Sequence, residues 1–167
     1  PLSRLAPLLV IHLLGYDVKK AAKDYMKFIG TETMGILSEI KTSEITFYFY
    51  DHSHRASILS YDSALKDLSR IFQPKNGRKI AVIGNMLNIG NISKKAHEDL
   101  AELIEKANVN RLYTVGVFAK PIHDKLKDKT ILIKHADKYT EIEKDILADI
   151  QDGDLIFVKG HHRIWLK

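Results

Sequence analysis

Between Glu44 and Val158 the sequence alternates short β-rich runs with stretches of helical spacing, and this alternation does most to narrow the folds open to the chain. The runs are residues 45–50, 79–83, 111–115, 130–134 and 155–158. Between them, apolar residues recur every three to four positions over about 57–72, 93–107, 119–126 and 140–150. Strand-helix alternation of this kind predicts an α/β domain: a Rossmann-like, mostly parallel sheet with helices on both faces. Two local signals set expected boundaries. Thr140 with Glu143 reads as a capping box opening the last helix, and Asn76-Gly77 as a turn before a strand. In such sheets the functional crevice lies beyond the carboxyl ends of the strands. That rule puts Asp51, the Gly84–Gly90 loop, Gly116, His135 and the stretch from Lys159 to His162 along one rim.

The first 30 residues follow another pattern. Segments 2–14 and 18–28 have helical spacing and are separated by Gly15-Tyr16-Asp17, where glycine ends one helix and aspartate caps the next. They predict a helical hairpin, followed by a loop over 30–35 and a short strand over 36–40. The expected division is a helical segment, 1–30, and a main domain, 31–167. Because the chain opens on Pro1, already inside a helical pattern, it reads as a piece of a longer polypeptide.

Composition removes several function classes. With 167 residues and 45% hydrophobic content the chain can bury a core. It has no cysteine, which rules out disulfides, thiolate metal sites and a Cys nucleophile, and a cytoplasmic setting fits. The run from Ala6 to Leu14 is too short to span a bilayer, so no membrane role is expected. The net charge of +5 comes from lysines interleaved with Asp and Glu and forms no basic stripe, so no nucleic-acid partner is expected.

The local chemistry is that of a binder. Gly84-Asn-Met-Leu-Asn-Ile-Gly90 follows a strand and precedes a helix, where phosphate loops sit, but it has neither a Walker A ending nor Gly-x-Gly-x-x-Gly. Asp51-His-Ser-His54-Arg55 gathers titratable groups at a strand end, suited to a ribose or a substrate, or else forms a polar loop capping the next helix. Lys159-Gly-His-His-Arg163 offers a glycine for close backbone approach and an Arg for a carboxylate, or else is a solvated turn. His97 reads as a helix-face residue, and His12 and His123 as structural or solvated. No third ligand accompanies the paired histidines, so no metal is expected, and no Gly-x-Ser-x-Gly elbow is present.

Together these pieces resemble the C-terminal domain of the Mur ligases, most of all those of the MurF type. In that type the strand and loop run Ile-Ala-Val-Leu-Gly-Asp-Met-Leu-Glu-Leu-Gly, with a His on the next helix, which Ile80 to Gly90 and His97 match. Thr114-Val-Gly116 and Gly153-Asp154 through Lys159-Gly160 have counterparts in its Val-Gly and in its Gly-Asp-x-x-Leu-Val-Lys-Gly-Ser ending. The stretch from Arg4 to Asp17 resembles the helical end of the family's central domain. The chain departs from the pattern at Asn85 (Asp in the family), at His161 (Ser), in the loop after Tyr50, which keeps a single Asp, and near Met34, where the family's ATP-contacting Arg has no counterpart.

The resemblance implies an ATP-dependent, amide-forming ligase of peptidoglycan precursor synthesis. Its N-terminal and central domains lie outside this chain, together with the residues for ATP and Mg. It assigns to this domain closure over the active site, with Asp51 and His54 on the nucleotide side. Lys159, Gly160 and His161 fall on the side of the incoming dipeptide, D-Ala-D-Ala, and Gly84, Asn85 and Met86 in the rim loop. The UDP-muramoyl peptide would be held by the parent; no catalytic residue and no tightly held cofactor are expected in this piece. The alternative is a catalytically degenerate module of the same fold that binds a ligand or a partner.

Overall fold

The computed structural model describes residues 5–26, 35–71, 77–129 and 131–161. The chain divides into two compact units, Pro1–Gly30 and Thr31–Lys167. In the first, helices α1 (Leu5–Leu13) and α2 (Val18–Met26) form a hairpin. Gly15 adopts a left-handed φ of 77°, and the Asp17 carboxylate accepts the Lys19 and Lys20 amides at 2.8 and 3.1 Å, ending one helix and capping the next. α1 is apolar on every side and buries no residue within this unit.

The second unit is a six-stranded sheet built from β1 (Ile36–Lys41), β2 (Thr46–His52), β3 (Lys79–Gly84), β4 (Arg111–Val115), β5 (Leu132–Ala136) and β6 (Leu155–Lys159). Their spatial order is β1-β2-β6-β3-β4-β5. All neighbours are parallel except β1, which runs antiparallel to β2 from Ile36 opposite Asp51 to Lys41 opposite Thr46. Four helices connect the strands: α3 (Ile58–Arg70), α4 (Ser93–Lys106), α5 (Lys120–Leu126) and α6 (Glu143–Asp149).

The period of two along each strand divides the core into two layers. Ala81, Ile83, Leu112, Leu155 and Phe157 pack under α3, α4 and α5, against Leu65, Leu68, Leu100, Ile104 and Ile122. The alternate residues Ile80, Val82, Tyr113, Val115 and Ile156 face the other way and meet Ile142 and Ile146 near α6. Among the described residues, α3, α4 and α5 thus cover one face and the short α6 the other. An apolar groove of about 530 Å³ remains beside α6, floored by Phe47, Phe49 and Val158.

At the amino end of the sheet, the buried Asp154 carboxylate (1% exposed) accepts the Arg78 and Gln151 amides and pairs with the Arg78 guanidinium at 2.6 Å. Asp149 joins Arg78 and Arg111 beside it. Gly77 lies against the Gly153 carbonyl so closely that a Cβ there would fall 1.8 Å from the oxygen.

The structure differs from the sequence reading in several places. The expected capping box at Thr140 and Glu143 does not form. Residues Tyr139–Glu141 make a 3₁₀ turn, and α6 starts at Glu143 behind Ile142, which offers no capping side chain. β5 lies two residues later than expected, at Leu132–Ala136. His97 is fully buried and faces the core side of α4. The expected loop over 30–34, Asn76, His162, Arg163 and the last residues lie outside the described segments. Among the described residues no helix is long and apolar enough to cross a membrane.

Candidate functional site

Because β6 lies between β2 and β3, the ends of three parallel strands meet at the middle of the carboxyl rim. A pocket of about 470 Å³ opens there, lined by His54, Arg55, Ala56 and Ser57 after β2, Leu87 and Asn88 after β3, and His161 after β6. The described residues that line it include an arginine, two histidines and an asparagine, and no Asp or Glu. A surface so rich in donors suits an acceptor group on a ligand, such as a carboxylate, a phosphate or a hydroxyl.

Local chemistry holds each wall. Ser57 caps α3 in a reciprocal box with Ser60: the Ser57 hydroxyl accepts the Ser60 amide at 3.2 Å, and the Ser60 hydroxyl accepts the Ser57 amide at 2.9 Å. The Asp51 carboxylate accepts the Ser53 amide at 2.8 Å and so braces its own loop. Asn88 sits at a φ of 60°, a left-handed conformation that asparagine tolerates better than most residues.

Hydrogen bonds join the rim loops into one framework. The Tyr61 hydroxyl, fully buried, has the carbonyls of Gly84 (2.6 Å) and Lys159 (2.9 Å) as acceptors for its single proton, which ties the ends of β3 and β6 to α3. The Asn85 carbonyl accepts the His161 amide at 3.2 Å, while its side-chain oxygen accepts the Ala119 amide at 2.9 Å and reaches the turn after β4. Gly116 makes room for that carboxamide: its φ is 95°, and a Cβ there would lie 2.3 Å from Asn85 Nδ2. The Met86 amide donates to His97 Nε2 at 2.9 Å, and His97 Nδ1 lies 2.7 Å from the Ser93 carbonyl. This network assigns the His97 proton to Nδ1, and burial holds the imidazole below its usual pKa.

The pocket therefore brings together His54 and His161, which the sequence reading placed on the nucleotide and dipeptide sides. Gly160 is buried beside it, and Gly84 and Asn85 act through the framework. Met86 lies in the loop after β3 with its side chain in the core. Lys159 turns away from solvent: it is 2% exposed, and its ammonium donates to the carbonyls of Arg55 (2.8 Å) and His52 (3.4 Å) and lies 5.0 Å from the Tyr61 ring centre. Burial lowers its pKa to about 8. His135 is elsewhere, on the edge strand β5, with Nδ1 2.9 Å from the Thr114 hydroxyl and its ring 5.7 Å from that of His123. Among the described residues no three His, Cys, Asp or Glu side chains are grouped as metal ligands.

Arg55 and Asn88 lie in the two loops that the sequence reading singled out, although it gave neither a role of its own, and Tyr61 is the residue of the rim framework that it did not name. Tyr61 carried a signal, since it heads the stripe Tyr61-Ala64-Leu65-Leu68 at helical spacing. A polar tip at the head of an apolar stripe calls for an acceptor where the helix meets the sheet.

Comparison with known proteins agrees with this architecture. The chain is 29% identical over 163 residues to the UDP-N-acetylmuramoyl-tripeptide--D-alanyl-D-alanine ligase of Rickettsia prowazekii (strain Madrid E), a match covering 95% of this chain and 34% of that protein. The ligase of the same name from Bacillus subtilis (strain 168) is 24% identical over 140 residues, covering 78% and 29%. The chain thus spans about a third of the length of the curated relatives it matches. Among solved structures, the MurF ligase of Thermotoga maritima in complex with ADP shares the fold with a TM-score of 0.73 at 24% identity, over 94% of this chain and 33% of that one. A MurF of Acinetobacter baumannii gives 0.72 at 22% identity, over 93% and 32%. The Mur ligase glutamate ligase domain, the C-terminal domain of these enzymes, matches residues 37–162, and the chain belongs to that family.

Proposed function

We propose that the chain is the C-terminal part of an ATP-dependent, amide-forming ligase of peptidoglycan precursor synthesis, which joins D-Ala-D-Ala to a UDP-muramoyl tripeptide in the cytoplasm. On this reading residues 1–30 are the helical end of the preceding central domain, and residues 31–167 close over the active site. ATP, held mainly by the missing domains, activates the substrate carboxylate by phosphorylation, and this chain's part is recognition and exclusion of water. Asp51 and His54 lie on the nucleotide side; Gly160, His161 and, by its place in the pocket, Arg55 lie on the side of the incoming dipeptide. The residues for Mg, like those for the ATP phosphates, belong on this reading to the missing domains. The observation that carries the reading is the donor-rich pocket at the meeting of the β2, β3 and β6 ends, in a domain whose family match spans 37–162.

The test uses the full-length parent. It is expected to ligate D-Ala-D-Ala in an ATP-dependent manner, whereas the 167-residue chain alone gives no product. In the parent, Arg55→Ala is expected to raise KM for the dipeptide by about ten- to a hundredfold, the loss of one charge-assisted hydrogen bond. Ligation by the isolated chain would place the catalytic machinery here and overturn the division of labour. A parent with no ligase activity and no Gly-x-x-x-x-Gly-Lys-Ser/Thr loop would favour the second reading, a binding module that has lost catalysis. That reading draws on Asn85, a neutral group bonded to the Ala119 amide where the family has an Asp.

A further inference from the structure

Lys159 presents a charge that no carboxylate of the described residues balances. Among the described residues no carboxylate pairs with its ammonium; its partners are two carbonyl dipoles and the face of an aromatic ring. Enclosing a lysine without a counter-charge is costly, and such groups are found where something else supplies the opposite charge. The principal acceptor is the carbonyl of Arg55, a residue that itself lines the rim pocket. We propose that Lys159 supplies a buried, unneutralised positive charge beneath this pocket, and that an anion seated there, a carboxylate or a phosphate, is its counter-ion.

The surroundings agree on the sign of the ligand. From the loop after β2 come the Arg55 guanidinium and the His54 imidazole, and from the end of β6 comes His161. Ser57 places the amino end of the 13-residue helix α3 at the same wall, with its positive dipole end. Among the groups packed around Lys159, β2 brings Asp51 and His52, and α3 brings Tyr61, with Asp67 farther along it. The facing residues of β3, Ile83 and Gly84, bring no charge. Asp51 is engaged with the Ser53 amide, and His52 is kept neutral, its pKa lowered to about 4 by burial first and the Lys159 charge second. Lys159 acts on a bound anion through the field it projects, which makes it a positioning and specificity residue that does not touch the ligand.

The consequence is proton linkage. A bound anion favours the ammonium form, so it raises the Lys159 pKa, and affinity falls as pH rises through about 8. Acetate and sulfate are suitable probes, the first for a carboxylate source and the second for a phosphate source, because neither titrates between about pH 7.5 and about pH 9.5, where free imidazole is already neutral. The 167-residue chain, carrying ¹³C-labelled lysine and histidine, would be titrated with each at ionic strength matched with chloride. The expected result is saturable shifts of the His54 and His161 ring signals, an upward move of the Lys159 ε-methylene midpoint on binding, and weaker binding at the higher pH. In Lys159→Met, affinity at about pH 7.5 is expected to fall about tenfold and its pH dependence to vanish.

Stronger binding of one probe identifies the group the site prefers. Failure of both to shift the histidine rings, or a Lys159 midpoint that stays still at saturation, overturns the proposal. If the methionine variant does not fold, the wild-type midpoint decides alone. The measurement concerns this chain and uses no ligation assay, so it stands or fails separately from the ligase reading, on which it rests only for the choice of pocket.

Discussion

His97 shows how a residue that resembles a catalytic group can be a structural one. Its Nε2 accepts a buried backbone amide and its Nδ1 donates to a carbonyl one helical turn away, so both ring nitrogens are used within the fold. Burial holds the imidazole below its usual pKa, and a proton on Nε2 would in addition put two donors face to face. The folded chain therefore binds fewer protons here than the unfolded chain over the range just below the usual imidazole value of 6.5. Stability rises with pH across that range: the contribution is complete above it and is lost as pH falls toward the lowered value. His52, lowered to about 4, and His135, also lowered, act in the same direction. Urea unfolding at about pH 7.5 and about pH 5 should show a less stable protein in acid. His97→Phe is expected to lose about 1–3 kcal/mol at the higher pH, the cost of stranding the Met86 amide, and to show a shallower pH dependence. An unchanged pH dependence in that variant would mean that His97 contributes nothing to it.

At the scale of elements, α3 is the strut of the candidate site, since its first turn forms one wall of the pocket and its Tyr61 ties two strand ends together. The Ser57–Ser60 box fixes where that turn begins. Ser57→Ala removes the hydroxyl acceptor and is expected to cost about 1 kcal/mol, read as a fall in the thermal midpoint. A loss no larger than that of a neutral exposed substitution would show that the loop, and not the cap, fixes the start of the helix. Much of this level was legible in the sequence. β4 occupies residues 111–115 as expected, β3 and β6 end within a residue of expectation, and α4 starts at Ser93, because continuous apolar runs and a 3.6-residue period are local signals. α6 was misjudged because Thr140 and Glu143 satisfy a capping pattern by spacing alone, while burial of Ile142 under the sheet sets the actual turn. The place of β6 between β2 and β3 was not legible, since strand order follows from pairings more than a hundred residues apart. For the same reason the rim rule put Asp51, Gly84 and Lys159 at one edge but could not show that the Lys159 ammonium points inward. That direction depends on carbonyls contributed by another strand end and loop.

For the molecule as a whole, the question is which part carries the stability. Among the described residues, the second unit builds both core layers from its own side chains, beginning at Phe47 and ending at Val158. The hairpin instead exposes apolar side chains: Leu5, Leu9, Val10, Leu13 and Leu14 of and beside α1 are all more than half exposed, Leu13 at 74%. A helix apolar on every side is stable in water only when something covers it, and the relatives of this chain are about three times its length. The second unit should therefore fold without the first, and the first should be the source of any self-association. A chain of residues 31–167 is expected to unfold within a few degrees of the full 167 residues, a difference of less than about 1 kcal/mol. In sedimentation or light scattering it should stay monomeric at concentrations where the longer chain associates. A drop of more than about 5 °C would mean that the hairpin stabilises the sheet domain, because at this size it corresponds to more than about 1 kcal/mol. Equal association of the two chains would point instead to the apolar groove beside α6, an open apolar surface of the second unit.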